Sequence, residues 1–292
     1  MAIITLTTDF GTDSPYVAAM KGVVLSIQQD AVRKPSHPAL APPVGREVGR
    51  EAASDLLIVD ITHAVPPQEI GAAALILADT SRWFPPGTIH VVVVDPGVGT
   101  DRRVLCIDAG GHLLIGPDNG VLAPAVRDAA SVHAYEISEP RFRLPEVSST
   151  FHGRDIMAPA AAFLSLGVTP GELGPPVKDW VRFELPPPVV QPGRVDGQVL
   201  YVDSFGNLIT NVTPDDLVAV FDSLTEATRS ATVICGPHKI RGLVGTYAEA
   251  GDRATAALIG SSNRLEIAVV NGNAARELAL DRGAPVAVTF TV

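Results

Sequence analysis

The run from Val91 to Arg103, VVVVDPGVGTDRR, constrains the fold of this chain more than any other stretch. Four β-branched residues read as a buried strand, which Asp95, Pro96 and Gly97 then break into a glycine-bearing loop ending in two arginines. A carboxylate therefore stands where the strand stops. Open α/β sheets handle ligands at the carboxyl ends of their strands, so Asp95, with Arg102 in the loop that follows, reads as part of a polar site.

The same punctuation recurs along the N-terminal part. Ile3 to Thr8 reads as a strand ending at Asp9, followed by the loop FGTDSPY and by helical spacing from Val17 to Gln28. Leu56 to Ile61 is a second strand, with Asp60, Thr62 and His63 at its end, and Pro67 to Trp83 reads as a helix leading into the strand Thr88 to Val94. Strands alternating with helices predict an α/β domain with a mostly parallel sheet, covered on both faces, with Asp9, Asp60 and Asp95 near strand ends. VLCID and LLIGPDNG read as a hairpin closed by Gly110 and Gly111, and Met157 to Leu166 as a buried helix. Between Ala31 and Ala53 the composition shifts to Pro, Arg, Lys, Gly and Glu, which predicts a partly disordered surface excursion.

At 292 residues the chain exceeds what one core usually organises, and about 150 residues per domain predicts two. The break falls at Arg182 to Arg194, RFELPPPVVQPGR, where consecutive prolines can join neither a helix nor a central strand. This stretch reads as a linker between an N-terminal domain over 1–181 and a C-terminal one over 195–292. Beyond it, Gly197 to Asp203, Leu208 to Asn211, Ala231 to Cys235, Leu265 to Val270 and Pro285 to Val292 are short alternating runs. They predict a smaller antiparallel, β-barrel-like domain.

Composition narrows the function. With 22 Lys and Arg against 32 Asp and Glu the net charge is −10, and no run of like charges exists to meet nucleic acid or an anionic membrane. Hydrophobic content is 46% with only 5% aromatic, so Ala, Val, Leu and Ile fill the core, as in α/β enzymes. Cys106 and Cys235 lie far apart and outside any CxxC or ligand spacing, which disfavours disulfide and zinc and suits a reduced cytoplasmic setting. The N-terminus lacks a basic segment and reaches an acid at Asp9, unlike a signal peptide, and no uncharged apolar stretch reaches the ~18 residues needed to span a bilayer.

Four constellations carry chemistry. GVGTDR, Gly97 to Arg102, begins like the dinucleotide fingerprint but has Arg102 in place of the third glycine and runs into a strand, so close helix–strand packing is lost. STFHGRDIM, Ser149 to Met157, opens the buried helix with a polar cluster. His152 alone reads as a structural histidine, and Arg154 and Asp155 as a pair. A histidine at a helix start, an acid at a strand end and an arginine in the adjoining loop are together the ingredients for orienting a polar nucleophile. VDSFGNLITN, Val202 to Asn211, is a turn between strands that also offers Asp203, Phe205 and Asn207: an acceptor, a flat apolar surface and an amide suited to a purine edge. GSSNRLEIAVVNGN, Gly260 to Asn273, exposes Ser261 and Ser262 ahead of a strand, where hydroxyls and N–H groups suit a carboxylate. His63 and His90 read as structural, Asp60 with His63 being only two groups on one loop. No HExxH, GxSxG or GxxxxGK motif is present.

Taken in order, TTDFGTDSPYVAAMKG, VDITHAVPPQEIGAAALIL, FPPGTIHVVVVDPGVGTDRR, GPDNGVL, TFHGRDIMAPAAA, DSFGNLITN and LEIAVVNGNAA resemble the S-adenosyl-L-methionine (SAM) hydroxide adenosyltransferases, relatives of the fluorinase and chlorinase. The resemblance covers nearly the whole chain outside the Ala31 to Ala53 excursion. It implies an N-terminal α/β domain and a C-terminal β-barrel-like domain, in a homotrimer whose active sites lie between the N-domain of one subunit and the C-domain of a neighbour. It further implies hydrolysis of SAM to adenosine and L-methionine, with no metal or organic cofactor.

The family's catalytic triad carries over to Asp95, Arg102 and His152. The same resemblance assigns Asp9 to the ribose hydroxyls, Asp203 to the methionine ammonium, Asn207 to the adenine edge and Ser261 to the methionine carboxylate. Phe205 packs against the base, while Ser14, Tyr16, Gly153, Ser262 and Glu266 complete the substrate-binding set. Departures from the halogenases favour water over halide: Asp95 replaces a tyrosine, Gly153 a fluorinase serine and Ser262 an arginine, and a long loop before GPDNG is missing. The alternatives are a SAM-dependent halogenase and a non-catalytic sensor of SAM or adenosine.

Overall fold

The computed structural model describes residues 1–32, 55–183 and 185–290. The excursion expected over 31–53 lies outside these residues, apart from Ala31 and Val32 at the end of a helix. The chain divides into two compact units, Met1–Glu184 and Leu185–Val292.

In the first unit the order is β1 (Ala2–Thr8), α1 (Tyr16–Val32), β2 (Leu56–Thr62), α2 (Ile70–Ser81), β3 (Ile89–Val93), β4 (Val104–Ala109), β5 (His112–Pro117), β6 (Val132–Glu136), α3 (Ala158–Ser165) and β7 (Pro176–Val177). The strands form a mixed sheet, β2-β1-β3-β5-β4-β6-β7, in which β2, β1, β3 and β5 run parallel and the later pairings are antiparallel. The expected α/β domain is thus present, and the β4–β5 hairpin turns at Gly110 and Gly111 as the sequence indicates. Every residue of β3 is buried, which explains why Val91 to Val94 show no polar alternation. Ile4, Leu6, Val91 and Val93 share one core with Met20, Val24 and Ile27 of α1 and with Ala161 and Phe163 of α3.

Three helix boundaries differ from those read in the sequence. α1 continues to Val32, beyond Gln28. α2 begins at Ile70 rather than Pro67 because Gln68 adopts φ +66°, a left-handed conformation incompatible with a continuing helix. The expected helix Met157 to Leu166 is α3 preceded by a π-helical turn over Gly153–Met157, a local widening that often accompanies functional positions.

The second unit runs β8 (Val189–Gln191), β9 (Arg194–Val202), β10 (Leu208–Thr210), α4 (Pro214–Phe221), α5 (Leu224–Ser230), β11 (Ala231–Cys235), β12 (His238–Arg241), α6 (Tyr247–Ala250), β13 (Thr255–Ile259), β14 (Leu265–Val269), α7 (Ala274–Leu278) and β15 (Pro285–Phe290). Its sheet is antiparallel, in the order β12-β11-β15-β9-β10-β14-β13, with β8 beside β9. The end strands β12 and β13 approach one another, so the sheet is a nearly closed barrel of the expected kind. Strand β8 lies within the proline-rich stretch, directly after its three consecutive prolines. The helices of this unit are additions to the all-β expectation. α4 carries its own signal in TPDD: Thr213 and Asp216 cap one another reciprocally, Pro214 opens the first turn, and Leu217 and Phe221 bury against the barrel. Among the described residues no helix is long and apolar enough to cross a membrane.

Sheet pairing places Thr5 of β1 beside His90 of β3, and His90 is fully buried. Its Nδ1 lies 2.8 Å from Thr5 Oγ1 and its Nε2 3.3 Å from His112 Nδ1. Burial, and secondarily His112, lower the His90 pKa to about 4. An unfolded chain would bind this proton near pH 6.5, so His90 stabilises the fold fully above that pH and loses the contribution as pH falls toward 4. We expect about 3 kcal/mol of acid-linked destabilisation from this residue across that window. Urea denaturation of wild type and His90→Phe at stepped pH should show a shallower slope in the variant, and equal slopes would refute the assignment.

Candidate active site

The loop after β3 and the turn before α3 bring three polar groups together. Asp95 emerges just past β3, and Arg102 folds back onto it, Nε donating to Oδ1 at 2.7 Å while Nη2 donates to Oδ2. The same Nη2 lies 2.8 Å from His152 Nδ1. The side chains of Asp95 and Arg102 are only 5% and 10% exposed, so the pair lies in a poorly solvated setting where its attraction is strong. Glycine makes the close approach of the two loops feasible. Gly99 has φ +80°, and a Cβ there would collide with the Ser149 carbonyl oxygen, three residues before His152.

Chemistry then fixes the tautomer of His152. A guanidinium has donors only, so Nδ1 must accept from Arg102, and the neutral ring carries its proton on Nε2. Burial, followed by the Arg102 charge, holds the His152 pKa below the usual imidazole value, in keeping with that neutral form. Gly153, next in sequence, is buried where a Cβ would approach Val93 Cγ1 to 2.9 Å, so the helix start packs directly on the end of β3.

A second set of groups gathers at the end of β1. Asp9 Oδ2 accepts the Gln68 backbone N–H at 2.8 Å, and the left-handed conformation of Gln68 aims that donor. Ser14 Oγ accepts the Tyr16 N–H at 3.2 Å. Phe10, Tyr16 and Phe151 form a three-ring cluster with centroids 5.2 to 5.7 Å apart, joining the Asp9 loop to the residue before His152. Phe10 and Phe151 escaped the sequence reading, although each sits next to a polar residue that the reading singled out.

The second unit holds a cavity of about 340 Å³, within the range of small-molecule sites, whose lining includes Phe205 and Asn207 but not Asp203, Ser261, Ser262 or Glu266. Phe205, Asn207 and Tyr247 line it together with the end of β14. Phe205 is 75% exposed, an open flat face on a turn. Asp203 builds that turn, its Oδ1 accepting from Phe205 N at 2.9 Å and Asn207 N at 2.8 Å, and its Oδ2 from Asn207 Nδ2 at 3.0 Å. Glu266, on β14, is buried, accepts the Tyr247 hydroxyl and lies against Gly260. Burial, then the neighbouring Asp203 charge, push its pKa up, while the Tyr247 bond opposes them. Ser261 is exposed and Ser262 half-buried, in the turn that leads into β14. Tyr247 lies far from every motif in the sequence, and only folding reveals it.

Cys106 and Cys235 are buried free thiols, and among the described residues no cluster of three or more His, Cys, Asp or Glu side chains could hold a metal ion.

An α/β unit in which Asp95, Arg102 and His152 bond to one another, followed by an antiparallel unit with an aromatic-lined cavity, places the chain among two-unit proteins of α/β and β architecture. Residues 4–33 and 46–174 match the SAM hydroxide adenosyltransferase N-terminal domain, and residues 197–287 the C-terminal domain of the same family. The chain belongs to that family. It is 36% identical to the (R)-S-adenosyl-L-methionine hydrolase of Salinispora arenicola, over 98% of this chain and 97% of that protein. The fluorinase of an Actinoplanes species is more distant, at 27% identity over 74% of this chain and 73% of its own. The crystal structure of an uncharacterized conserved protein from Thermotoga maritima superimposes with a TM-score of 0.81, at 28% identity, covering 98% of this chain and 99% of that one.

The Arg102 charge is one cause of the low His152 pKa, and its removal would leave Asp95 to pull the other way. In NMR titrations we expect the His152 imidazole to titrate below 6.5 in wild type and to move upward in Arg102→Ala. An unchanged value would mean that the guanidinium does not govern the ring.

Proposed function

We propose that this protein hydrolyses SAM to adenosine and L-methionine, a reading supported above all by the bonding within Asp95, Arg102 and His152. Oxygen from water forms a bond to the ribose 5′-carbon as the carbon–sulfur bond breaks. The electron pair of that bond goes to the sulfonium, which leaves as the neutral thioether of methionine, and the water's surplus proton passes to solvent. No acid is needed for the leaving group, so the protein's task is to hold and aim the nucleophile.

Both Asp95 oxygens are engaged by Arg102, and His152 Nδ1 is engaged as well. What the set offers an incoming oxygen is therefore the His152 Nε2–H and the guanidinium charge, a combination that favours hydroxide over water. In this reading His152 orients the nucleophile as a donor, Arg102 stabilises its negative charge, and Asp95 keeps Arg102 in place.

For the substrate, Asp9 takes the ribose hydroxyls, since a carboxylate can accept two O–H bonds. Phe205 packs on the adenine, Asn207 reads its edge, Asp203 meets the α-ammonium, and Ser261 with Ser262 meets the carboxylate. Tyr16, Ser14, Gly153 and Glu266 line the remainder. Nucleophile and substrate groups are divided between the two units of the chain, which fits a homotrimer that completes each site from two subunits.

Reaction in water enriched in oxygen-18, with products separated by chromatography, should place the label in the 5′-hydroxyl of adenosine. A halogenated nucleoside formed with chloride or bromide, or no product at all, would overturn the proposal. Asp95→Ala and His152→Ala should each lower kcat about 10²-fold or more while changing KM for SAM far less. Equal losses in kcat and binding would remove these residues from the chemical step.

A further inference from the structure

Asp9 is held on both sides by one histidine. Thr8 Oγ1 lies 3.0 Å from His63 Nδ1 and also accepts the Phe10 N–H at 3.3 Å, so His63 reaches the residues before and after Asp9 through a single hydroxyl. Gly11 N–H donates to the His63 carbonyl at 2.8 Å, and Val65 N–H to the Thr8 carbonyl at 3.4 Å. His63 is itself backed. Its Nε2 lies 3.1 Å from Asp60 Oδ1, and Lys21 Nζ, on α1, donates to Asp60 Oδ2 at 2.5 Å.

Lys21 donates to an ionised Asp60, His63 Nε2 stands at ion-pair distance from the same carboxylate, Nδ1 shares a hydrogen bond with the Thr8 hydroxyl, and the Thr8 oxygen also accepts from Phe10. Burial opposes ionisation of Asp60, yet the Lys21 and His63 bonds outweigh it and hold its pKa below the usual carboxylate value. Hydroxyl, imidazole and carboxylate in series resemble a nucleophile and its base. Thr8, however, is fully buried with its oxygen turned to Phe10 N–H, which takes it out of reach of a substrate.

Backbone irregularity serves the same loop. The β1–β2 register runs Leu6 to Asp60 and then Thr7 to Thr62, skipping Ile61, a bulge that re-aims Thr62 and His63 toward the end of β1. Gln68, farther along the same connection to α2, fixes the Asp9 carboxylate from the other side through its left-handed N–H.

We infer that His63, backed by Asp60 and Lys21, is a positioning residue that sets the angle at which Asp9 meets the ribose hydroxyls. The inference rests on the assignment of Asp9 to the ribose, proposed above. Calorimetric titration of the full chain with adenosine and with 2′,3′-dideoxyadenosine tests it. Wild type should bind adenosine about tenfold or more tightly than the dideoxy analogue, the strength expected of hydrogen bonds to a charged group. His63→Ala should bring that ratio close to one while leaving dideoxyadenosine affinity unchanged, and should add nothing further in an Asp9→Ala background. His63→Gln, which restores a hydrogen-bond partner for Thr8, should recover part of the ratio. If His63→Ala does not fold, Asp60→Asn reads the same ratio from a more exposed position and should lower it severalfold.

An unchanged ratio in the folded His63 or Asp60 variant, or equal weakening of both ligands, overturns the positioning role provided Asp9→Ala does abolish discrimination. If Asp9→Ala leaves discrimination intact, the ribose assignment itself is wrong, and the role of His63 falls with it.

Discussion

The guanidinium of Arg102 is the contact on which the candidate chemistry depends. It bonds both oxygens of Asp95 and the Nδ1 of His152, tying a loop at the end of one strand to the start of a helix. A lysine could not replace it, because only the planar fork spans a carboxylate bidentately while a further N–H reaches an imidazole. Low exposure of Asp95 and Arg102 strengthens the arrangement, and neutral His152 is the form that it selects. The arrangement of these three groups is an electrostatic property of a packed loop pair, formed without any ligand.

Packing at the strand ends supports that geometry by excluding atoms. Gly99 lets one loop press on the Ser149 carbonyl, and Gly153 lets the helix start press on Val93. The Phe10, Tyr16 and Phe151 rings connect the Asp9 loop to the His152 turn by edge-to-face contact. A chain of polar contacts from Lys21 through Asp60 and His63 to Thr8 flanks Asp9 on its other side. Thus the candidate carboxylates and the imidazole lie at strand and helix ends, while the parallel half of the sheet supplies a rigid base beneath them.

Much of this was legible in the residue pattern. The uninterrupted apolar run of β3 announced a strand buried on both faces, and the glycine pair at 110 and 111 announced the hairpin. Acids after β1 and β3 point to a candidate site because strand ends are where α/β sheets expose polar groups. His63 carries no signal in the sequence, since a loop of two polar groups has no diagnostic spacing. Its partners, Thr8 on β1 and Lys21 on α1, are neighbours only across the sheet and helix. Tyr247 was invisible for the same reason, being joined to Glu266 only when α6 and β14 are folded. The short helices of the second unit lie among runs of strand period that outweigh their local signals, even the capping box of α4.

By itself, the sequence determined the alternation of strands and helices, the change to short antiparallel strands after the proline-rich stretch, and the membership of Asp95, Arg102 and His152 in family motifs. Those properties depend on local periodicity and on the identity of each residue, and both survive without coordinates. Only the tertiary structure decided that Arg102 donates to both partners at once, that His152 is thereby neutral with its proton on Nε2, and that His63 braces the Asp9 loop. Each of these is a relation between side chains distant along the chain. Its energy depends on burial and bond direction, which no linear pattern encodes.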